Sequence, residues 1–213
     1  MHRLLSIPAL VALAAPAAAE IELSVYLGYQ TAPHSRIEGD NASGDFDELI
    51  EWDGKSGEAP PYYGIRATWW RTETLGFGLE LNHAKVYGNE DDLAKAGFET
   101  LELTDGLNIV TANVMRRFPD AWGAFTPYIG AGVGVAVPHV DAEDGTNDTF
   151  EYQLTGPAAM ALGGVSYDIN DTWALFGEYK ITYSSNEADL DGGGTLETDI
   201  VTNALNLGVS YRF

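Results

Sequence analysis

The chain contains no cysteine, which excludes disulfides and thiolate metal sites. Basic residues are scarce, with 11 Lys and Arg against 32 Asp and Glu and a formal charge of −21. Such a balance repels phosphates and argues against nucleic acid as a partner. Beyond residue 20 no run reaches the ~20 apolar residues of a membrane-crossing helix. Common enzyme signatures are missing too: no Gly-x-Ser-x-Gly elbow, no P-loop, no His-Glu-x-x-His. Gly130-Ala131-Gly132-Val133-Gly134 imitates a dinucleotide turn, but it lies inside a strand pattern with no helix after it. What the chain does have is 24 Gly, abundant Trp, Tyr and Phe, and 45% hydrophobic residues, a composition that excludes disorder. Its 213 residues suit one large domain or two small ones.

Met1-His2-Arg3 carries positive charge, Leu4 to Ala15 is nearly all apolar, and Ala17-Ala18-Ala19 offers small residues for cleavage. This reads as a Sec-type signal peptide over 1–19, leaving an exported domain of residues 20–213.

In that domain eight segments alternate apolar and polar residues with period two, the signal of half-buried strands. They are Ile21–Gln30, Tyr62–Arg71, Gly76–Tyr87, Leu107–Phe118, Phe125–Val140, Leu154–Ile169, Trp173–Ser184 and Ile200–Phe213. Short links (72–75, 119–124, 170–172) alternate strictly with long ones (34–59, 89–106, 141–153, 185–199). A sandwich has no reason to place all its short turns at one end, whereas a membrane barrel has short periplasmic turns and long outer loops. The expected fold is therefore all-β: an eight-stranded antiparallel transmembrane barrel with four long acidic extracellular loops, located in the outer membrane. The long links hold 24 of the 32 acidic residues and only Arg36, Lys55 and Lys95 as bases. Simple solvation explains such loops; divalent cation binding is the alternative.

The last segment ends Leu205, Leu207, Val209, Tyr211, Phe213 on one face, with Phe213 terminal. That resembles the C-terminal signal read by the outer-membrane barrel-assembly machinery, an expected partner. On the opposite parity Arg66, Glu80, Glu178, Lys180 and Arg212 face the lumen. Eight strands enclose space only for side chains, so these charges are expected to pair internally. A gated channel is the alternative.

The third segment is apolar at Phe77, Leu79 and Leu81 and then presents His83 and Lys85 on the same parity. At roughly 2.5 Å of climb per residue, His83 stands ~15 Å above Phe77, in the outer leaflet. A polar residue facing lipid is costly and marks function, unless a bulge turns it inward or the apolar band ends lower. His34 and His139, the other histidines of the exported domain, also fall at the outer rim, and Asn108 shares the outward parity between His83 and His139.

Six stretches carry a resemblance: Tyr29 to Arg36, Pro60 to Trp70, Gly78 to Tyr87, Thr104 to Thr111, Val137 to Val140 and Tyr152 to Pro157. Over the exported domain the chain resembles the lipid A oxidases, small outer-membrane barrels of alphaproteobacteria. The resemblance implies oxidation of the proximal glucosamine of lipid A to 2-aminogluconate with molecular oxygen, and hence lipid A or lipopolysaccharide as partner. Oxygen is a triplet, and no side chain here mediates its chemistry unaided. A redox-active or divalent metal ion held by imidazole and carboxylate is the simplest solution. Position and chemistry then nominate His83, His139 and His34 as catalytic groups. They nominate His83, His139 and Asp105 as metal ligands, and Lys85 and Asn108 as substrate contacts. The rival expectation is a non-enzymatic structural or surface-interaction barrel. A channel for apolar solutes is disfavoured by a polar, plugged lumen.

Overall fold

The computed structural model describes residues 20–213; the expected signal peptide lies outside them, as do the side chains of Thr104 and Asp105. The chain forms β1 (Glu20–Asn41), β2 (Gly44–Asp53), β3 (Tyr63–Trp70), β4 (Leu75–Gly88), α1 (Glu90–Leu93), β5 (Thr100–Arg117), β6 (Phe125–Ala136), β7 (His139–Glu143), β8 (Asp148–Tyr152), β9 (Gly156–Asp168), β10 (Trp173–Leu190) and β11 (Gly194–Arg212). Eight of these strands close an antiparallel ring in the order β4-β3-β1-β11-β10-β9-β6-β5, sealed by the β4–β5 ladder. The first strand pairs with the last, from Glu22 opposite Arg212 to Asp40 opposite Thr195. The expected barrel is thus present.

β10 shows why these residues make a membrane wall. Trp173, Leu175, Tyr179, Ile181 and Tyr183 face outward, while Ala174, Phe176, Glu178, Lys180, Thr182 and Ser184 are buried. From Trp173 to Tyr183 the strand climbs roughly 25 Å, the height of the apolar band. Trp173, Tyr211 and Phe213 stack edge-to-face at its lower border, with centroids 4.8 and 4.7 Å apart.

Above Tyr183 the alternation continues with its polarity reversed. Glu187 and Asp189 now point outward, and Ala188 and Leu190 inward. On β11, Glu197 and Asp199 point outward, and Leu196 and Ile200 inward. The long links therefore carry strand as well as turns. β2 pairs along β1 and reaches β4 at Trp52 opposite Gly88. β7 pairs with β5 and with β8. The segment after β8 meets β10 through Glu187 N–H to Thr155 O (2.9 Å) and through both amide groups of Gln153 on the Asp189 backbone (2.8 and 2.9 Å). These walls surround an apolar core containing Ile37, Ile50, Leu93, Leu101, Leu190 and Leu196, with Phe46 and Phe98 edge-to-face at 5.2 Å. Leu101→Ala is expected to cost about 2–5 kcal/mol there. Limited proteolysis of the inserted protein should then cut the links faster, while the spanning ring stays folded.

Register also lines up like charges. Glu187 opposes Glu197, Glu197 opposes Glu38, and Glu38 opposes Asp47, a single outward row across four strands. Directly opposed like charges destabilise a sheet, and Arg36 reaches only Asp47. Raising the salt from ~0.01 to ~0.1 M shortens the screening length from ~30 to ~10 Å. Hydrogen exchange in the upper β10–β11 hairpin should slow accordingly, and Glu197→Gln should weaken that salt dependence.

The lumen is filled. Arg66 bridges Glu80 and Glu178 at 2.7 Å each. Lys180 contacts Glu80 and lies 3.7 Å from Glu178. Tyr26 donates to Glu80 (2.6 Å), Tyr128 to Glu178 (2.9 Å), Asn113 to Glu80 (3.1 Å) and Asn206 to Glu178 (3.2 Å). Two carboxylates face two cations, and four of the five expected inward charges lie in this knot. Gly64 admits the Tyr26 ring; a Cβ there would fall 2.0 Å from it. Arg212 lies lower, at the periplasmic mouth, tied to Glu22 and Asp168. Beneath the knot a cavity of about 30 Å³ remains, enough for a water or two.

Candidate functional site

The lipid face is interrupted at the outer ends of β3, β4 and β5. Tyr63, His83 and Asn108 stand opposite one another in a single outward row. The His83 ring stacks on Tyr63 at 4.9 Å and 21°, and its Nδ1 lies 3.0 Å from Asn108 Oδ1. An acceptor oxygen at that distance suits the tautomer that carries its proton on Nδ1. Parity is as expected, but exposure is not: His83 is 4% exposed rather than open to lipid. Tyr63 covers one face of the ring, and Gly106, at φ +105°, brings the β5 backbone against it. A Cβ at Gly106 would fall 2.2 Å from Nδ1, so only glycine fits this approach.

The bulge comes two residues later, where Lys85 faces an irregular stretch of β5 between Leu103 and Leu107. It overturns the expectation that Lys85 snorkels to a headgroup. Lys85 is fully buried, its Nζ donates to Glu58 O at 3.0 Å, and the Gln30 amide clasps its backbone on both sides. The cation displayed at this rim is Lys55, exposed and 4.0 Å from the Tyr87 ring centroid. Its position in a long link gave no sign of this. Beside Tyr87, Glu102 opposes Asp141, and burial pushes the Glu102 carboxyl above its ordinary range.

The three histidines are not gathered into one centre. His139 on β7 is buried, edge-on to Phe150 and Tyr152 at 4.3 and 4.7 Å, and its Nδ1 has no hydrogen-bond partner among the described residues. Asn108 links the two regions, because its carbonyl accepts from Val137 N–H at 2.7 Å. His34 is exposed on the β1–β2 wall, 3.7 Å from Glu51. Among the described residues no three His, Asp or Glu side chains converge where they could hold a metal ion. Asp105, the third member of the expected set, lies outside the described side chains.

The hairpin bearing His139 is pinned at its tip. Asp144 accepts from Ala42 N–H (3.0 Å), Thr146 N–H (3.0 Å) and Asn147 N–H (2.7 Å). These donors, Ala42 first, pull its carboxyl from 3.8 down to about 2. A depressed carboxyl stabilises the fold above its unfolded value and stops doing so as pH falls through the folded one. The tie should thus hold at neutral pH and fail between about 4 and 2, with the Ala42 amide shift titrating near 2. Asp144→Asn should abolish that titration.

The sequence profile described as "Outer membrane protein beta-barrel domain" matches residues 5–213. Among solved structures, Neisserial surface protein A is similar at 17% identity and a TM-score of 0.51, covering 92% of this chain and 97% of that one. OprG of Pseudomonas aeruginosa is similar at 12% identity and a TM-score of 0.56, covering 93% and 97%. Identities this low speak to fold alone. No curated protein matches the sequence.

Proposed function

Because the chain belongs to the outer membrane protein beta-barrel domain family, we propose that it serves as a sealed outer-membrane barrel acting through its outer surface, a structural or surface-interaction protein rather than a pore. The observation that carries this reading is the closed axis: a neutral ion knot in the lumen with an apolar core above it. An ion would have to break buried pairs and then cross a dry plug, both of which are costly. The partners on this reading are outer-leaflet lipopolysaccharide and, during insertion, the barrel-assembly machinery at the Tyr211 to Phe213 end. Purified protein in planar bilayers should leave conductance at the lipid background; steady single-channel openings would overturn the reading.

A second reading rests on the Tyr63–His83–Asn108 row. It is the lipid A oxidation that the sequence resemblance implies. C1 of the sugar hemiacetal would pass a hydride equivalent to oxygen as its hydroxyl proton leaves, giving a lactone and hydrogen peroxide; hydrolysis of the lactone yields the 2-aminogluconate. His83 Nε2 is the group suited to take the proton. The test compares lipid A from cells with and without the protein by mass spectrometry. A gain of one oxygen on the proximal sugar supports this reading, and unchanged lipid A removes it.

A further inference from the structure

We propose that residues 54–61 form a movable cover on the outer side of β4, latched by Lys85, and that lifting it opens the way to His83. The segment links β2 to β3 beside a gap in the wall. β3 begins at Tyr63, opposite His83 on β4 and Leu27 on β1. β2 reaches β4 only at Trp52 and Asp53, opposite Gly88 and Tyr87, and its ladder with β1 begins at Ala32. Gln30 on β1 and Lys85 on β4 therefore face each other where no strand runs between them.

Side chains close this gap. The Gln30 carboxamide stands in for a strand residue: its Nε2 donates to Lys85 O at 2.8 Å, and its Oε1 accepts from Lys85 N–H at 2.9 Å. Ser56 does the same for Gln30. Its Oγ accepts from Gln30 N–H at 2.9 Å and donates to Gln30 O at 3.1 Å. Outside this stitch lies the cover. Trp52 and Tyr62 anchor its two ends in the core, yet 54–61 adds no apolar side chain to that core, and residues 57–61 are exposed. Its own turn is closed by Glu58 N–H on Lys55 O and Tyr62 N–H on Ser56 O, both at 3.0 Å, so it can move as a unit. It is tied to β4 by Lys85 Nζ on Glu58 O at 3.0 Å and by Lys55 over the Tyr87 ring. A segment with few buried apolar contacts opens at low cost.

Lys85 makes the latch reversible. Its ammonium is fully buried, and its hydrogen-bond acceptor is a neutral carbonyl, with the Tyr87 ring 5.1 Å away. Burying a cation without a counter-ion is costly. Lifting the cover returns water to that ammonium and offsets the lost hydrogen bond, so the closed and open arrangements are closely balanced. A fixed prop would be better made by an apolar side chain. Lys85 also lies two residues above His83 on the same parity, so what roofs Lys85 stands between the headgroup region and the imidazole. Tyr63, whose ring covers His83, follows the Tyr62 anchor directly. With His83 Nε2 buried, a substrate reaches it only after this wall moves. That guarding role rests on the lipid-modifying reading; the movement itself does not.

The test reads the movement without any activity. Folded protein is treated with diethyl pyrocarbonate, which acylates accessible imidazoles, and the rate at each histidine is followed by peptide mass spectrometry. In wild type the exposed His34 should react fast and His83 slower by about tenfold or more. Lys85→Met keeps an apolar stem and removes the latch. It should speed His83 by about tenfold while His34, His139 and urea resistance stay at wild-type levels. If Lys85→Met does not fold, Ser56→Ala, which removes the clasp on Gln30, serves. Unchanged His83 labelling in the folded variant would overturn the proposal, as would equal labelling of His34 and His83 in wild type. So would a parallel rise at His139 with lost urea resistance, because the whole barrel would then be loosening. Lipid A from the same cells separates the two ideas. Labelling as expected with no oxidised lipid A removes the second reading and leaves the cover standing. Where wild-type cells make the oxidised product, Lys85→Met should make more of it, and an unchanged yield would overturn the guarding role.

Discussion

Replacing Arg66 by Met should destabilise the barrel by about 3–5 kcal/mol, because removing one partner from a buried ion cluster strands the others. Arg66 contacts both buried carboxylates. Without it Glu80 and Glu178 share only Lys180 as a cation, together with the hydroxyls of Tyr26 and Tyr128 and the amides of Asn113 and Asn206. Lost urea resistance of the folded, heat-modifiable form is the measurement. The double change Arg66→Met/Glu178→Met removes one charge of each sign and leaves Glu80 paired with Lys180. It should recover a large part of the loss, since apolar replacement of a whole buried pair is often neutral or better. If single and double variants lost equal stability, packing rather than charge would explain the cost.

On the lipid-modifying reading, His83→Ala should reduce the oxidised lipid A product by about 10²–10⁴-fold, the range for loss of a proton-transfer group. The same change carries a modest structural cost. His83 stacks on Tyr63 and bonds Asn108, so the variant should lose about 1–2 kcal/mol. An imidazole lying free in lipid would have cost less than ~1 kcal/mol. The variant should still insert and migrate as a folded barrel, and its lipid A should then be compared by mass spectrometry with that of wild-type cells. Undiminished product from folded His83→Ala would exclude this imidazole from the chemistry. Asn108→Ala tests orientation: it removes this hydrogen bond and keeps the ring, so a smaller loss is expected.

Much of this architecture is legible in the sequence because the bilayer imposes one rule on every spanning strand. From Trp173 to Tyr183 and from Leu205 to Tyr211 the odd positions are apolar or glycine and the even ones, Phe176 apart, are small or polar, which places Glu178 and Lys180 inward before any coordinates exist. The same rule places Arg66 and Glu80 on neighbouring strands with the same parity. The rest of the knot was hidden because Tyr26 and Tyr128 are aromatic, and an aromatic on inward parity does not advertise its hydroxyl. The walls above the membrane are obscure in the sequence for a different reason. In Glu187-Ala188-Asp189-Leu190 the alternation is intact, but acids occupy the outward positions, and a search for lipid-facing apolar residues passes over it. The reversal of polarity is itself the signal, marking where each strand leaves hydrocarbon. At the rim, parity placed His83 correctly, whereas its burial depended on Tyr63 lying opposite across the ladder. Cross-strand register of that kind is set by turns and bulges elsewhere in the chain, as the burial of Lys85 also shows.

Because the outer walls share one interior, none of the four long links can change alone. An insertion within β2 or β8 would shift Phe46 or Thr149 out of register and disturb neighbours contributed by the other links. Freedom to vary falls to the turns at 42–43, 145–146 and 191–193. A host antibody or a bacteriophage meeting this surface would therefore encounter composite epitopes assembled from distant segments. Peptides copied from single links should raise sera that bind the unfolded chain and miss the intact cell.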